Sequence, residues 1–152
     1  MELFHDHWFS GAATRLAGVP EAKRAGIDPG FLEIAAQGAR MSAVQLVRAQ
    51  VRRADFGAAM DAALADYDFI LSPGTAIPAF EAGAEVPAGS GLTRWTEWAG
   101  FSYPINLSQQ PAAVVPCGRT KAGLPLAMQI IGARGDDGAV MALAAALEAL
   151  FA

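Results

Sequence analysis

The chain has 152 residues, a net charge of −4 and 53% hydrophobic residues. That length suits one domain with a real core rather than two. The acidic balance, with no run of Lys or Arg, argues against nucleic acid and anionic membranes as partners, because both reward a basic face.

Taken in chain order, residues 1–39 read as mostly irregular, with helical patterns around Trp8 to Leu16 and around Pro29 to Ala36. In "DPGFLEIA", Asp28 is an N-cap and Pro29 the first helical residue. A long helix follows over residues 42–66. Ser42 and Gln45 form a capping box, and Val44, Val47 and Val51 make an apolar stripe that Phe56, Met60 and Leu64 continue. Phe69, Ile70 and Leu71, closed by Pro-Gly, read as a strand buried on both faces. Residues 73–93 read as a long loop, of the kind that is often functional. "LTRWTEWAGFSYPINL" reads as a helix from Thr93 with Pro104 near its end, which would put Thr96, Ala99, Gly100 and Tyr103 on one face. "AAVVPC", "GRTKAG" and "LPLAMQIIG" read as strand, hairpin turn and strand. Asp136 or Asp137 caps a final helix with the stripe Val140, Leu143, Leu147, Leu150 and Phe151. Apolar strands flanked by helices give an α/β class with a central sheet.

Few residues offer chemistry. Cys117 is the only cysteine, so no internal disulfide or multi-cysteine metal site forms, and a nucleophilic role would need a histidine, a cation or a helix N-terminus beside it. His5-Asp6-His7 would place two imidazoles on one face of a strand, which falls short of a zinc ligand set. "PAGSGL" at 87–92 lacks the Lys-Ser/Thr of a phosphate loop, and no G-x-S-x-G elbow occurs. Of the two lysines, Lys23 and Lys121, the second sits in the hairpin turn, a poor place for a desolvated base. No cofactor or metal is expected. No signal-peptide pattern is visible and the apolar stretches are too short or broken to span a bilayer, so the expected location is cytoplasmic. The apolar content exceeds the roughly 45–50% typical of globular domains, which suggests surface buried against a partner or another portion of the protein.

The blocks "DFILSPGTAIPAF", "WAGFSYPINL", "PAAVVPCG", "GLPLAMQIIG" and "DDGAVMALAAALEALF", in this order and spacing from about Asp28 onward, closely resemble the C-terminal portion of the amidase signature family. The resemblance implies an α/β/α sandwich with a mixed central sheet. It implies amide hydrolysis or transfer by a serine nucleophile, a bridging serine in a cis peptide and a lysine, through an acyl-enzyme. Those residues belong to the family's signature region, N-terminal to the part matched here, and this chain has no glycine-rich Ser-Ser segment. No catalytic residue is therefore carried over. The whole of 1–152 is expected to be a C-terminal segment, with 1–40 a mostly helical and irregular lead-in, 42–66 the long helix and 67–152 the core strands and flanking helices. Its expected partners are a small amide substrate and the N-terminal portion of the enzyme; a homo-oligomer remains open.

The resemblance also implies that the helix before "PINL" lines the acyl side of the substrate pocket. The face would be Thr96, Ala99, Gly100 and Tyr103, with Thr75 approaching from the loop. Trp95, Trp98 and Phe101 are pocket wall or, with preference, core. Small residues at 99 and 100 leave space that suits a hydrophobic or aryl acyl group. Cys117 would fill a strand end, with Gly118 and Gly123 serving the turn. The family often has glycine where this chain has Ala127, which asks for more room. Two rivals are a non-catalytic module that binds a partner through its apolar face, and a small thiol enzyme using Cys117.

Overall fold

The structure is a computed structural model that describes residues 1–151. The chain divides into two compact units, Met1–Asp55 and Phe56 onward, with the division inside a long helix.

In the first unit, α1 (Glu2–Ala17) and α2 (Pro29–Gly38) pack together, separated by a short 3-10 turn, Glu21–Gly26. Their core is Ala12, Ile34 and Ala35, flanked by Phe9, Leu16 and Phe31. Gly38 is required there, because a Cβ would overlap the Phe9 carbonyl. Arg24 closes the end of α1 by donating to the Leu16 and Val19 carbonyls at 3.2 and 3.0 Å. Asp28 caps α2 as its sequence position requires, accepting from Phe31 N at 2.9 Å. Most of residues 1–40 is thus helical. His5, Asp6 and His7 lie within α1 and not on a strand. Two residues on a helix are about 200° apart around its axis, so the two imidazoles point to different sides. His5 stacks on Phe9, and His7 Nδ1 lies 2.9 Å from the Leu3 carbonyl.

The long helix α3 (Ala43–Leu64) begins at the expected capping box: Gln45 N donates to Ser42 Oγ at 3.2 Å and Ser42 N to Gln45 Oε1 at 2.8 Å. Its stripe does not enter a core at the first three positions, since Val44, Val47 and Val51 are 60%, 56% and 57% exposed.

The second unit holds the sheet. Strands β1 (Phe69–Pro73), β2 (Ala112–Arg119) and β3 (Pro125–Gly132) pair in the order β1-β3-β2, all antiparallel. The final helix α5 (Asp137–Phe151) covers one face. Its Val140 and Ala144 meet Val115 and Ile130, with Phe69, Ala113, Met128, Leu143 and Leu147 around them. The expected strand at 69–71 forms, but it is an edge strand and Leu71 is 53% exposed, so it is not buried on both faces. Leu150 and Phe151 end the α5 stripe in exposed positions.

The helix expected from Thr93 does not form as one piece. A single 3-10 turn, Trp95–Glu97, is followed by a break and then α4 (Tyr103–Ser108). Pro104 stands in the first turn of α4, where its fixed φ and missing N–H start a helix rather than end it.

Candidate functional site

The β2–β3 hairpin is the framework of the site. Its turn closes where Thr120 N donates to the Leu124 carbonyl at 2.8 Å and Gly123 N to the Thr120 carbonyl at 2.9 Å. Gly123 has φ +81° and Gly118 φ +137°, both in the region that L side chains rarely adopt. Between Pro116 and Gly118 the register slips by one residue, which makes Cys117 the extra residue of a β-bulge. Cys117 is half-buried and free. Both histidines belong to the other unit. Cys117 therefore sits inside β2 at the bulge rather than at a strand end, since β2 runs on to Arg119 and the turn closes between Thr120 and Leu124. Ala127 is accommodated by Gly74: the two residues are joined by a Gly74 N to Ala127 O bond of 2.8 Å, and a Cβ at 74 would lie 3.2 Å from that of Ala127.

On the sheet face opposite α5, Gln129 is 7% exposed. Its Nε2 donates to Ser72 Oγ at 3.1 Å and to the Phe101 carbonyl at 3.0 Å, which ties β1 and the break before α4 to the middle strand. A cavity of about 380 Å³ opens beside it, lined by Ser102, Ile105, Asn106, Gln109, Gln110 and Gln129, with Ala112. Gln110 is also buried, and its Nε2 donates to Asp61 Oδ1 at 2.8 Å. Arg134 holds the same carboxylate through Nε and Nη2, each at 3.1 Å. Gln110 Oε1 is buried without a partner.

Of the five expected pocket residues, none lines this cavity, although Tyr103 is the immediate neighbour of Ser102. They do not share a helix face either. Thr96 is buried in the 3-10 turn, Ala99 is buried in the break, Gly100 is exposed, and Tyr103 opens α4 half-buried. Thr75 is exposed, and its hydroxyl donates to the Ile77 carbonyl at 2.8 Å. The helical spacing that suggested one face fails because the break at 98–102 resets the phase. The sequence reading missed the glutamines. The signal was a polar residue inside the apolar run "AMQIIG", which at a central strand position has to be hydrogen-bonded.

The loop from Gly74 to Arg94 carries no regular element, as expected. Glu97 Oε2 accepts from Thr93 N, Thr93 Oγ1 and Arg94 N at 2.7, 2.9 and 2.8 Å. The Thr93 backbone N–H, then that of Arg94, then the Thr93 hydroxyl hold the Glu97 carboxyl below the usual carboxylate range.

The amidase family model matches residues 23–141. The chain is a member of the amidase signature family. An acylamidase of Rhodococcus erythropolis is 31% identical over 134 residues, which cover 86% of this chain and 28% of that protein. A glutamyl-tRNA(Gln) amidotransferase subunit of Pseudothermotoga lettingae is 44% identical over 85 residues, 56% of this chain and 17% of that one. Among solved structures, a crystal structure of an amidase superposes with a TM-score of 0.87 at 26% identity, covering 99% of this chain and 35% of the amidase. A bacterial aryl acylamidase of the same family gives 0.71 at 29% identity, over 94% and 31%. The chain thus spans less than a third of the length of these two sequence relatives. The likeness places its helices and three-stranded sheet in the α/β fold of amidase signature enzymes, and amide hydrolysis is the chemistry at the level of the family. No helix among the described residues is long and apolar enough to cross a membrane.

Proposed function

We propose that this chain is the C-terminal segment of an amidohydrolase that cleaves carboxylic amides through an acyl-serine intermediate. It contributes core strands and part of the substrate pocket. The N-terminal portion of the enzyme supplies the nucleophilic serine, the bridging serine and the lysine, and the acyl-enzyme is then released by water. Thr75, Thr96, Ala99, Gly100 and Tyr103 form the pocket's acyl side. The observation that carries this reading is the family match over residues 23–141, which contains the whole sheet. Support for an apolar or aryl acyl group comes from the small residues at 99 and 100 and from the half-buried Trp95 and Trp98 nearby.

The test is complementation. The pure chain is expected to release no ammonia from simple amides. Mixed or co-expressed with the N-terminal two-thirds of the Rhodococcus erythropolis acylamidase, it should yield a soluble complex with amidase activity. Ammonia release by the chain alone refutes the division of labour.

The exposed Val44, Val47 and Val51 favour a second reading, a non-catalytic module that docks a partner there. A monodisperse, inactive chain that ignores the amidase portion would support it.

A further inference from the structure

Residues 74–102 join β1 to α4 with only one 3-10 turn. A connection of that length in a compact unit is ordinarily functional or disordered. Here it is tied by two carboxylates. Glu97 reaches back to Thr93 and Arg94, as described above. Glu85 takes the next position: its Oε1 accepts from Arg94 Nε at 2.8 Å and from Trp95 N at 3.1 Å, and its backbone carbonyl accepts from Trp98 Nε1 at 3.0 Å. The effect is on the rings. Trp98 is held edge-on to Phe80 at 5.8 Å and to Trp95 at 6.4 Å. All three are half-buried, so each presents area to solvent, and Trp95 and Trp98 are anchored through backbone and indole N–H.

We propose that Glu85 and Glu97 are positioning residues that lock residues 80–98 into a preformed aromatic wall rather than a lid that orders on binding. As a wall of the acyl side it rests on the amidase reading above; as a locked segment it does not. Preorganisation matters because ordering a loop at the moment of binding consumes affinity. Arg94 meets Glu97 through its backbone N–H, while its guanidinium pairs with Glu85. Glu97 is held below the usual carboxylate range in the folded state. The clamp is therefore present above that range and is lost only as the pH falls through the lowered value.

The experiment uses the full chain in a Trp8→Phe background, so that Trp95 and Trp98 are the only indoles. Near-UV circular dichroism reports the ring pair, and trypsin cleavage after Arg94 reports opening. Glu97→Gln should speed that cleavage about tenfold at neutral pH, as loss of a charge-assisted cap raises the open population. It should also flatten the near-UV signal and shrink its acid transition, Glu85 still supplying the second carboxylate, with the far-UV spectrum unchanged. Thr93→Val, which removes only the hydroxyl donor, should move both readouts part of the way and raise the acid midpoint. If Glu97→Gln does not fold, Thr93→Val decides alone. Wild-type cleavage and wild-type near-UV spectra across the pH range in the folded variants overturn the proposal. No amide substrate enters these readouts, so a failed complementation would sink the amidase reading and leave the clamp standing.

Discussion

On the face of the sheet covered by α5, Val115, Ile130, Val140 and Ala144 are buried together, with Phe69, Ala113, Met128, Leu143 and Leu147 packed around them, and the contact is apolar. The segment from Phe80 to Trp98 has no fully buried ring and is fixed by hydrogen bonds to Glu85 and Glu97. The two regions belong to one unit and obey different physics. Apolar burial is non-directional and indifferent to pH, and its loss scales with the volume removed. Carboxylate clamps are directional, screened by salt and present in only one protonation state. A core substitution should therefore weaken the sheet without a pH signature, whereas a clamp substitution should free the segment without unfolding the sheet.

The largest effect expected is at Ile130, which is 0% exposed in the middle strand. Ile130→Ala should cost about 2–5 kcal/mol through lost transfer energy and the cavity left behind. Urea unfolding followed by far-UV circular dichroism measures it. The rate of cleavage after Arg94 in the folded state should stay unchanged. A loss below about 1 kcal/mol, or a faster cleavage, would break the separation of the two regions.

Asp61 lies between the two regimes. It joins the end of α3 to Gln110 and Arg134. The ion pair to Arg134 is nearly half exposed on both sides and contributes little. Gln110 is buried, and without Asp61 its amide would lose the partner of its Nε2 as well as lacking one for Oε1. Asp61→Ala should therefore cost about 1–2 kcal/mol, mostly through Gln110. Asp61→Asn, which keeps an acceptor, should recover most of it. Equal losses in both variants would assign the effect to the charge instead.

The same contrast explains what could be read in the sequence. The β2–β3 hairpin, the α5 stripe and the α2 and α3 caps were legible, because strand alternation, turn glycines and capping residues act over a few neighbours. The bulge at Cys117 was not, since it exists only relative to β3. Phe69 to Leu71 state an affinity for burial, but whether a strand is central or at an edge depends on what pairs with it. Pro104 fits the end of one helix or the start of another, and the break at 98–102 decides. The glutamine-lined cavity stayed hidden because Gln129 reads as polar surface until pairing sets it opposite Ser72. His5-Asp6-His7 is compatible with a strand because three residues hold no period of their own, while the α-helix around them is set by Phe4, Ala12 and their packing.

The smallest effect has the opposite sign and concerns backbone rather than side-chain contacts. Gln109 closes α4 with φ +67°, the only non-glycine positive φ among the described residues, and its side chain lines the cavity. A left-handed residue at that position satisfies the helix's last carbonyls, here through Gln109 N to the Ile105 carbonyl at 2.9 Å. Glutamine bears a steric cost there that glycine does not. Gln109→Gly should stabilise the unit by about 0.5–1 kcal/mol, a rise of about 2–4 °C in the thermal midpoint. Gln109→Ala keeps the Cβ and should gain nothing. If glycine also gains nothing, the Gln109 side chain is itself holding the cavity wall. The polar mode of construction would then extend from the 80–98 segment across the break and onto α4.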